Sequence, residues 1–132
     1  MLKIADTGLL KAALDKSDAL AEWGKREFRN HAPFHTCEAV LVELSFLLGT
    51  PVPGLKLVER GDLVLTFALR EESGRILDLQ NKYRDAHMEI ADACLVRMTE
   101  LAREARIWTV DKRDFSIYRR HGRQSVPCVF PD

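Results

Sequence analysis

Short apolar runs alternate with longer amphipathic stretches along this chain of 132 residues. The short runs have the length and composition of buried strands, whereas the longer stretches repeat apolar residues with the helical period. Strands are predicted at residues 2–5, 33–36, 63–67, 107–110 and 125–130. Helices are predicted at about residues 9–14, 17–28, 37–48, 70–83 and 86–106. This alternation predicts βαβ crossovers and an α/β fold with a mainly parallel sheet and helices on both faces.

Capping and breaking residues set the expected ends of these elements. Ser17 and Asp85 are predicted to cap the second and the last helix at their N-termini. The glycines and prolines between residues 49 and 54 are predicted to end the third helix. Pro127 lies within the last predicted strand, so that strand is expected at an edge of the sheet.

The composition is that of an ordinary folded domain with no net charge. Lys and Arg total 20, Asp and Glu total 20, and 46% of the residues are hydrophobic. A chain of this length has room for one core of ordinary size, so we expect a single domain over residues 1–132. Because no apolar run is long enough to span a membrane and Asp6 interrupts the first apolar run, we expect a cytoplasmic protein without a membrane partner. Three widely spaced cysteines are expected to be reduced thiols: Cys37, Cys94 and Cys128.

Four carboxylates are distinguished by their positions in the predicted elements. Asp6 and Asp111 follow predicted strands, and open parallel sheets bind ligands beyond the carboxyl ends of their strands. Glu43 and Asp92 fall on the apolar sides of predicted helices. A carboxylate there is costly unless it is protonated, hydrogen-bonded, paired with a cation or bound to a metal, and no internal Lys or Arg matches these acids. Together the four acids indicate a metal site.

The donor atoms of this predicted site are all oxygens. Mg²⁺ and Mn²⁺ prefer such ligands and keep several waters for phosphate groups, whereas zinc favours His and Cys. His31, His35 and Cys37 lack a fourth partner and the spacing of a zinc site. A divalent metal among carboxylates activates water and neutralises charge on a leaving oxygen, so phosphodiester hydrolysis is the expected chemistry.

Structural roles explain some of the same acids. Asp6 can cap the helix that follows it, and Asp111 with Asp114 resembles a capping box. Such roles are less typical of Glu43 and Asp92, because acids within the apolar stripe of a helix are rarely structural. Four further residues are candidate supporting members of the site: Thr7, Glu89, Thr109 and Asp114.

Four short segments occur in order between residue 2 and about residue 120. They read IADTG from Ile4, HTCEAVLVE from His35, YRDAHMEIADA from Tyr83 and WTVDKRDF from Trp108. Together they resemble the PIN domain, in particular the VapC-type toxins. The resemblance implies a three-layer α/β/α sandwich, a Mg²⁺- or Mn²⁺-dependent endoribonuclease and an antitoxin that blocks the site. It also implies catalytic and metal-binding roles for these residues: Asp6, Glu43, Asp92 and Asp111, with Asp114 as a candidate fifth.

The resemblance has one departure and the sequence leaves two other functions open. Glu89 stands where many members of this family have Asp, which lengthens a side chain at the rim of the site. One alternative is a non-catalytic RNA-binding or scaffold module with the same fold. The other is a Mg²⁺-dependent phosphoryl-transfer domain, although Gly8 stands where a haloacid-dehalogenase-like site would need a second Asp.

Two surfaces are expected to contact macromolecules. The basic segment 112–123 contains Lys112, Arg113 and Arg119, which are expected to position an RNA backbone, although such a segment is equally typical of a solvated face. The apolar segment between residues 44 and 69 is expected to be covered in part by a homodimer partner or an antitoxin. The apolar residues expected to need this cover are Phe46, Leu55, Leu57 and Val58.

Overall fold

Seven strands and seven helices make up the computed structural model, which describes residues 1–132. The strands are β1 (Leu2–Ala5), β2 (Phe34–Thr36), β3 (Leu63–Leu65), β4 (Ala105–Trp108), β5 (Arg119–Arg120), β6 (Gln124–Ser125) and β7 (Cys128–Val129). The helices are α1 (Thr7–Leu14), α2 (Ala21–His31), α3 (Glu38–Leu48), α4 (Val52–Arg60), α5 (Leu69–Lys82), α6 (Ile90–Leu101) and α7 (Lys112–Ile117). None of the helices is long and apolar enough to cross a membrane.

The central sheet is entirely parallel and has the strand order β3–β2–β1–β4–β7. Helices flank this sheet, so the chain forms the predicted three-layer α/β/α sandwich. From β1 the chain first builds β2 and β3 on one side, then returns to add β4 on the other. The carboxyl ends of β1 and β4 therefore lie at a topological switch point, where open α/β sheets form their ligand-binding crevices.

The buried core lies between the sheet and the helices that connect its strands. Its largest fully buried side chains include Ile4, Leu10, Phe34, Leu79, Leu95 and Ile107. The predicted thiols are confirmed: Cys37 and Cys94 are buried, Cys128 is half-buried, and none forms a disulfide.

The helix predicted for residues 86–106 is wrong at both ends. A short 3₁₀ helix spans Arg84–Ala86, and His87 then adopts a left-handed conformation with φ of 55°. This break leaves Asp85 outside the helix, and Glu89 takes the N-cap position of α6. At the other end the residues after 104 join the sheet as β4, where they pair with β1. Tertiary pairing overrides the helical pattern there.

The predicted cap at Ser17 is also wrong. The Ser17 N–H and hydroxyl both donate to Asp15 Oδ1, at 3.0 and 2.7 Å, and this closes a turn after α1. The second helix begins only at Ala21. Ser17 therefore stabilises a turn. Its hydroxyl makes a local hydrogen bond there instead of the one that would cap a helix.

Helix α4 occupies a segment that the sequence predicted to be non-helical. Pro53 falls in the first turn of α4, where its missing N–H would have no partner in any case. Gly54 lets the helix approach Leu41 of α3, and Gly61 ends it in the left-handed conformation. As a result Leu57 is only 2% exposed, so the expectation that a partner covers it is wrong.

The last predicted strand is divided into two. Gln124 and Ser125 belong to an antiparallel hairpin with β5, whereas Cys128 and Val129 pair with β4. The predicted edge position is confirmed for β7, which is the last strand of the central sheet. Pro127 separates the two short strands because it cannot donate to a ladder.

Candidate functional site

A polar cavity of about 400 Å³ opens at the carboxyl ends of β1 and β4. All four acids that the sequence predicted to form a site line this cavity: Asp6, Glu43, Asp92 and Asp111. The remaining lining residues are Thr7, Gly8, Lys11, Asp18, Leu20, Leu47, His87, Glu89, Val110 and Asp114. The lining thus carries seven carboxyl groups and a single lysine.

Asp6 is the most buried acid of the cavity, with 7% of its surface exposed. It follows β1 directly and caps α1, with its Oδ1 accepting from the Thr7 N–H at 2.7 Å. Its Oδ2 accepts from the Thr109 hydroxyl at 2.6 Å. Burial raises the pKa of Asp6 to about 6, because the hydrogen bonds from Thr109 and Thr7 only partly offset the loss of water and the nearby Glu43 and Asp111. The carboxylate is held rigidly at a position where negative charge is unfavourable.

Asp92 lies in the first turn of α6 and is held by a residue from outside that helix. The Tyr118 hydroxyl donates to Asp92 Oδ2 at 2.8 Å. Burial, with the nearby acids Asp6, Asp111 and Asp114, raises the pKa of Asp92 to about 7 against the effect of that hydrogen bond. Positive charge brought into the cavity would favour the ionised form of this acid.

Asp111 and Asp114 lie at the start of α7. Asp111 caps this helix by accepting from the Asp114 N–H at 3.1 Å, and its own N–H donates to Thr109 Oγ1 at 3.0 Å. The hydrogen bond to Asp111 and partial burial raise the pKa of Asp114. Oxygens of Asp92, Asp111 and Asp114 all lie within 4.8 Å of one another, close enough to share one cation.

Glu43 and Glu89 complete the acidic lining from α3 and from the residue before α6. Glu43 is half-buried, whereas Glu89 is exposed. Burial raises the pKa of Glu43, the neighbouring Thr7 hydroxyl lowers it, and the charge of Glu89 raises it. Neither residue belongs to the close group of Asp92, Asp111 and Asp114. Both add negative charge to the cavity, and the charge of Glu89 also raises the pKa of Asp114.

Thr7 carries a buried hydroxyl that lies near the Glu43 carboxyl but makes no hydrogen bond of ordinary length within the protein. The residue is 2% exposed and lines the acidic cavity. A buried hydroxyl without a partner costs about 1–3 kcal/mol, so its position calls for a bound oxygen or cation. This orphan atom, beside an oxygen-only donor set, fits a hard divalent cation such as Mg²⁺ or Mn²⁺.

Four residues of the site were not found from the sequence: Lys11, Asp18, His87 and Tyr118. Lys11 gives one weak signal, because it lies one helical turn after Thr7 and therefore on the same side of α1. Tyr118 gives none, since its contact with Asp92 depends on the path of the chain after α7.

The basic segment 112–123 does not form one surface. Lys112 and Arg113 are exposed at the start of α7, next to Asp111. Arg119 is half-buried and its guanidinium donates to the carbonyls of Ser116 and Tyr118. Arg120 instead donates to the carbonyls of Thr99 and Ala102, at the C-terminal end of α6. None of the three predicted RNA-binding residues lines the cavity.

No family model matches the chain, and no curated protein matches it either. The chemistry of the cavity is therefore derived from its own residues. Rigid, partly buried carboxylates around an unpartnered hydroxyl at a switch point can hold one or two divalent cations and, through them, a phosphate group.

Proposed function

We propose that the protein is a Mg²⁺- or Mn²⁺-dependent endoribonuclease of the PIN type, a hydrolase that cuts phosphodiester bonds in RNA. The observation that supports this most strongly is the unpartnered Thr7 hydroxyl within a cavity lined by seven carboxyl groups. An acidic lining alone would be compatible with a solvated surface, whereas a buried hydroxyl without a protein partner is accounted for by an ordered water or a bound ion at that position.

The metal-binding residues of this proposal are the four predicted acids, Asp6, Glu43, Asp92 and Asp111, with Asp114 as a fifth. When bound among them, a divalent cation supplies a more acidic water and positive charge for the leaving oxygen. Thr109 holds Asp6, and Tyr118 holds Asp92, so each of these carboxylates keeps one orientation. In other proteins, hydrogen bonds that orient the metal-binding side chains in this way sustain the metal affinity.

The RNA backbone would cross the mouth of the cavity. Lys112 and Arg113 are exposed on the first turn of α7, which also carries Asp114, and would contact phosphates on either side of the cut bond, with the Lys112 ammonium 5.9 Å from the centre of the Phe130 ring. Arg119 supports the chain between Ser116 and Tyr118 and contributes less to RNA, because its guanidinium is already engaged.

We propose further that the protein is the toxin of a toxin–antitoxin pair. In that setting the protein would work in the cytoplasm as a homodimer, and an antitoxin would block the cavity. An apolar surface on α3 and α4 supports a protein partner. Phe46 is 84% exposed, and four further apolar residues are between 47% and 69% exposed: Val42, Leu47, Val52 and Leu55.

Cleavage of a labelled single-stranded RNA tests the activity. We expect cleavage in Mn²⁺ or Mg²⁺, none in excess EDTA, and none by Asp92→Asn, while Asp85→Asn, an exposed acid outside the cavity, retains full activity. Robust cleavage in EDTA would contradict the metal-dependent mechanism. RNA binding without cleavage under all these conditions would favour a non-catalytic RNA-binding module.

A further inference from the structure

Lys11 is the one Lys or Arg side chain that lines the acidic cavity. It lies on α1, one turn after Thr7, and its side chain is 28% exposed. The Lys11 ammonium donates to Asp18 Oδ2 at 2.8 Å and to Asp15 Oδ2 at 3.2 Å. These two carboxylates fix the direction of a long and otherwise mobile side chain.

The turn between α1 and α2 is built without the lysine. Asp15 Oδ1 accepts from the N–H and hydroxyl of Ser17, and Asp18 Oδ1 accepts from the Leu20 N–H at 2.8 Å. Lys11 uses only the second oxygen of each acid. The local hydrogen bonds of the turn therefore do not explain why a lysine stands at this position on the cavity side of α1.

The ammonium has one donor left. A lysine carries three N–H groups, and Asp15 and Asp18 accept two of them. The hydrogen bonds that Lys11 donates to Asp18 and Asp15 also raise its pKa, so the side chain stays charged at neutral pH. A third acceptor inside the cavity would complete its coordination.

An anionic substrate must approach seven carboxyl groups in this cavity. Asp15 and Asp18 already offset the charge of Lys11, but its ammonium is the one cationic donor on the cavity wall that can reach a phosphate oxygen directly. We propose that Lys11 binds a non-bridging phosphate oxygen of the RNA strand within the cavity. This inference rests on the proposed function and adds a substrate-binding residue to it.

Steady-state cleavage of single-stranded RNA in Mn²⁺, at several salt concentrations, tests this role. For Lys11→Met we expect KM to rise about tenfold, the effect of losing one charge-assisted hydrogen bond, with a much smaller change in kcat. The plot of log(kcat/KM) against log[salt] should become shallower by about 0.7, the value for one phosphate contact to a single strand. Lys11→Arg should restore most of the affinity. Lys16→Met, an exposed lysine in the same turn, should leave both quantities unchanged.

Asp18→Asn separates phosphate binding from a purely structural role. This variant loosens the lysine but leaves its charge in the cavity, so we expect KM to stay within about threefold of wild type. An Asp18→Asn variant with the same KM and salt slope as Lys11→Met would show that the lysine only fixes the turn, and would overturn the inference.

Two further results distinguish the failure of this inference from that of the proposed function. If wild-type protein cleaves RNA and Lys11→Met matches it in KM and salt slope, only the role of Lys11 is wrong. If wild-type protein neither cleaves nor binds RNA in Mn²⁺, the proposed function is wrong and the inference falls with it.

Discussion

At the scale of single residues, Asp6 has two roles that were considered as alternatives in the sequence. It caps α1 through the Thr7 N–H, and it also lines the acidic cavity. The same holds for Asp111, which caps α7 and faces Asp92 and Asp114. Each carboxylate oxygen can accept more than one bond, so a helix cap remains able to bind a cation.

The raised pKa of Asp6 predicts a pH-dependent stability of the metal-free protein. Between its unfolded value of 3.8 and its folded value of about 6, the folded state binds more protons, so the free energy of unfolding falls as pH rises. At 1.4 kcal/mol per pKa unit, the cost at pH 7.5 is about 3 kcal/mol. Urea denaturation in EDTA should show Asp6→Asn gaining stability over wild type by up to about this amount between pH 4 and pH 7.5.

Glu100 provides an internal control when wild type is compared with Asp6→Asn. Burial raises the pKa of Glu100, but bonds from Arg75, the His121 N–H and Arg97 lower it more strongly, to about 2. Its contribution to stability is lost as pH falls below 4.5 towards 2, and it is the same in both proteins. If the difference in the free energy of unfolding between wild type and Asp6→Asn stayed constant across pH, it would contradict the effect of burial on the pKa of Asp6.

Tyr118→Phe removes one hydroxyl and tests how Asp92 is held. Without the bond to Asp92 Oδ2, the carboxylate gains freedom, and Mn²⁺ affinity should fall by about 10- to 100-fold, as measured by calorimetric titration. Excess Mn²⁺ should restore RNA cleavage. Tyr83→Phe is the matched control, because the Tyr83 hydroxyl bonds to the Arg119 N–H and not to an acid. Equal Mn²⁺ affinity in both variants would contradict a supporting role for Tyr118.

The four main acids of the site and the supporting Thr109 could be predicted from the sequence, but Asp18, Lys11 and Tyr118 could not. Asp6 and Asp111 are visible because they follow apolar strands, and Asp92 because it interrupts an apolar helical face. Lys11 and Tyr118 lie in elements whose sequence pattern says nothing of the cavity. Their contacts depend on how a turn and a chain end fold back, which periodicity does not encode.

At the scale of elements, the strands agree with the sequence better than the helix ends do. The parallel strands of the core are short apolar runs with few alternatives, so β1, β2 and β4 fall close to their predicted positions. Helix α4 was missed because Pro53 and Gly54 are typical breakers, yet here they occupy a first turn and a close helix contact. Tertiary packing decides such positions.

The approach of α2 to α1 depends on Gly24. A Cβ at this position would lie 2.5 Å from Ala12 Cβ and 2.6 Å from backbone atoms of Ala12 and Ala13. Because backbone cannot move aside cheaply, Gly24→Ala should lower the free energy of unfolding by about 1–3 kcal/mol or more, as measured by urea denaturation. Gly74→Ala, at an open and exposed position in α5, should instead raise it by about 0.5–1 kcal/mol. Equal effects of the two substitutions would contradict this packing.

At the scale of the whole molecule, the topology explains why distant residues form one site. The four main acids follow β1 and β4 or lie on the helices α3 and α6. The strand order brings these elements together at the carboxyl ends of the strands. The alternating pattern predicted this edge because it predicted parallel strands. The division of the last strand and the position of α4 could be recognised only in the folded chain.

The exposed surface of α3 and α4 predicts self-association. Phe46 is 84% exposed and neighbours Val42 on the same face of α3, an arrangement that is unfavourable in water. We expect wild-type protein to be a dimer by light scattering and Phe46→Glu to be a monomer with unchanged folding. Leu77→Glu, at a 62% exposed position on α5, is the control and should remain a dimer. A monomeric wild type that copurifies with no partner would contradict this prediction.

The Asp6→Asn variant provides the most direct test of the proposed metal site. Asn caps a helix about as well as Asp, so this substitution removes the charge and keeps the cap. RNA cleavage and the Mn²⁺-induced rise in Tm should be measured for both proteins. We expect the variant to lose cleavage and most of the Mn²⁺ stabilisation, while its metal-free Tm equals or exceeds that of wild type. Wild-type cleavage and an undiminished response to Mn²⁺ in the variant would contradict a metal site at Asp6.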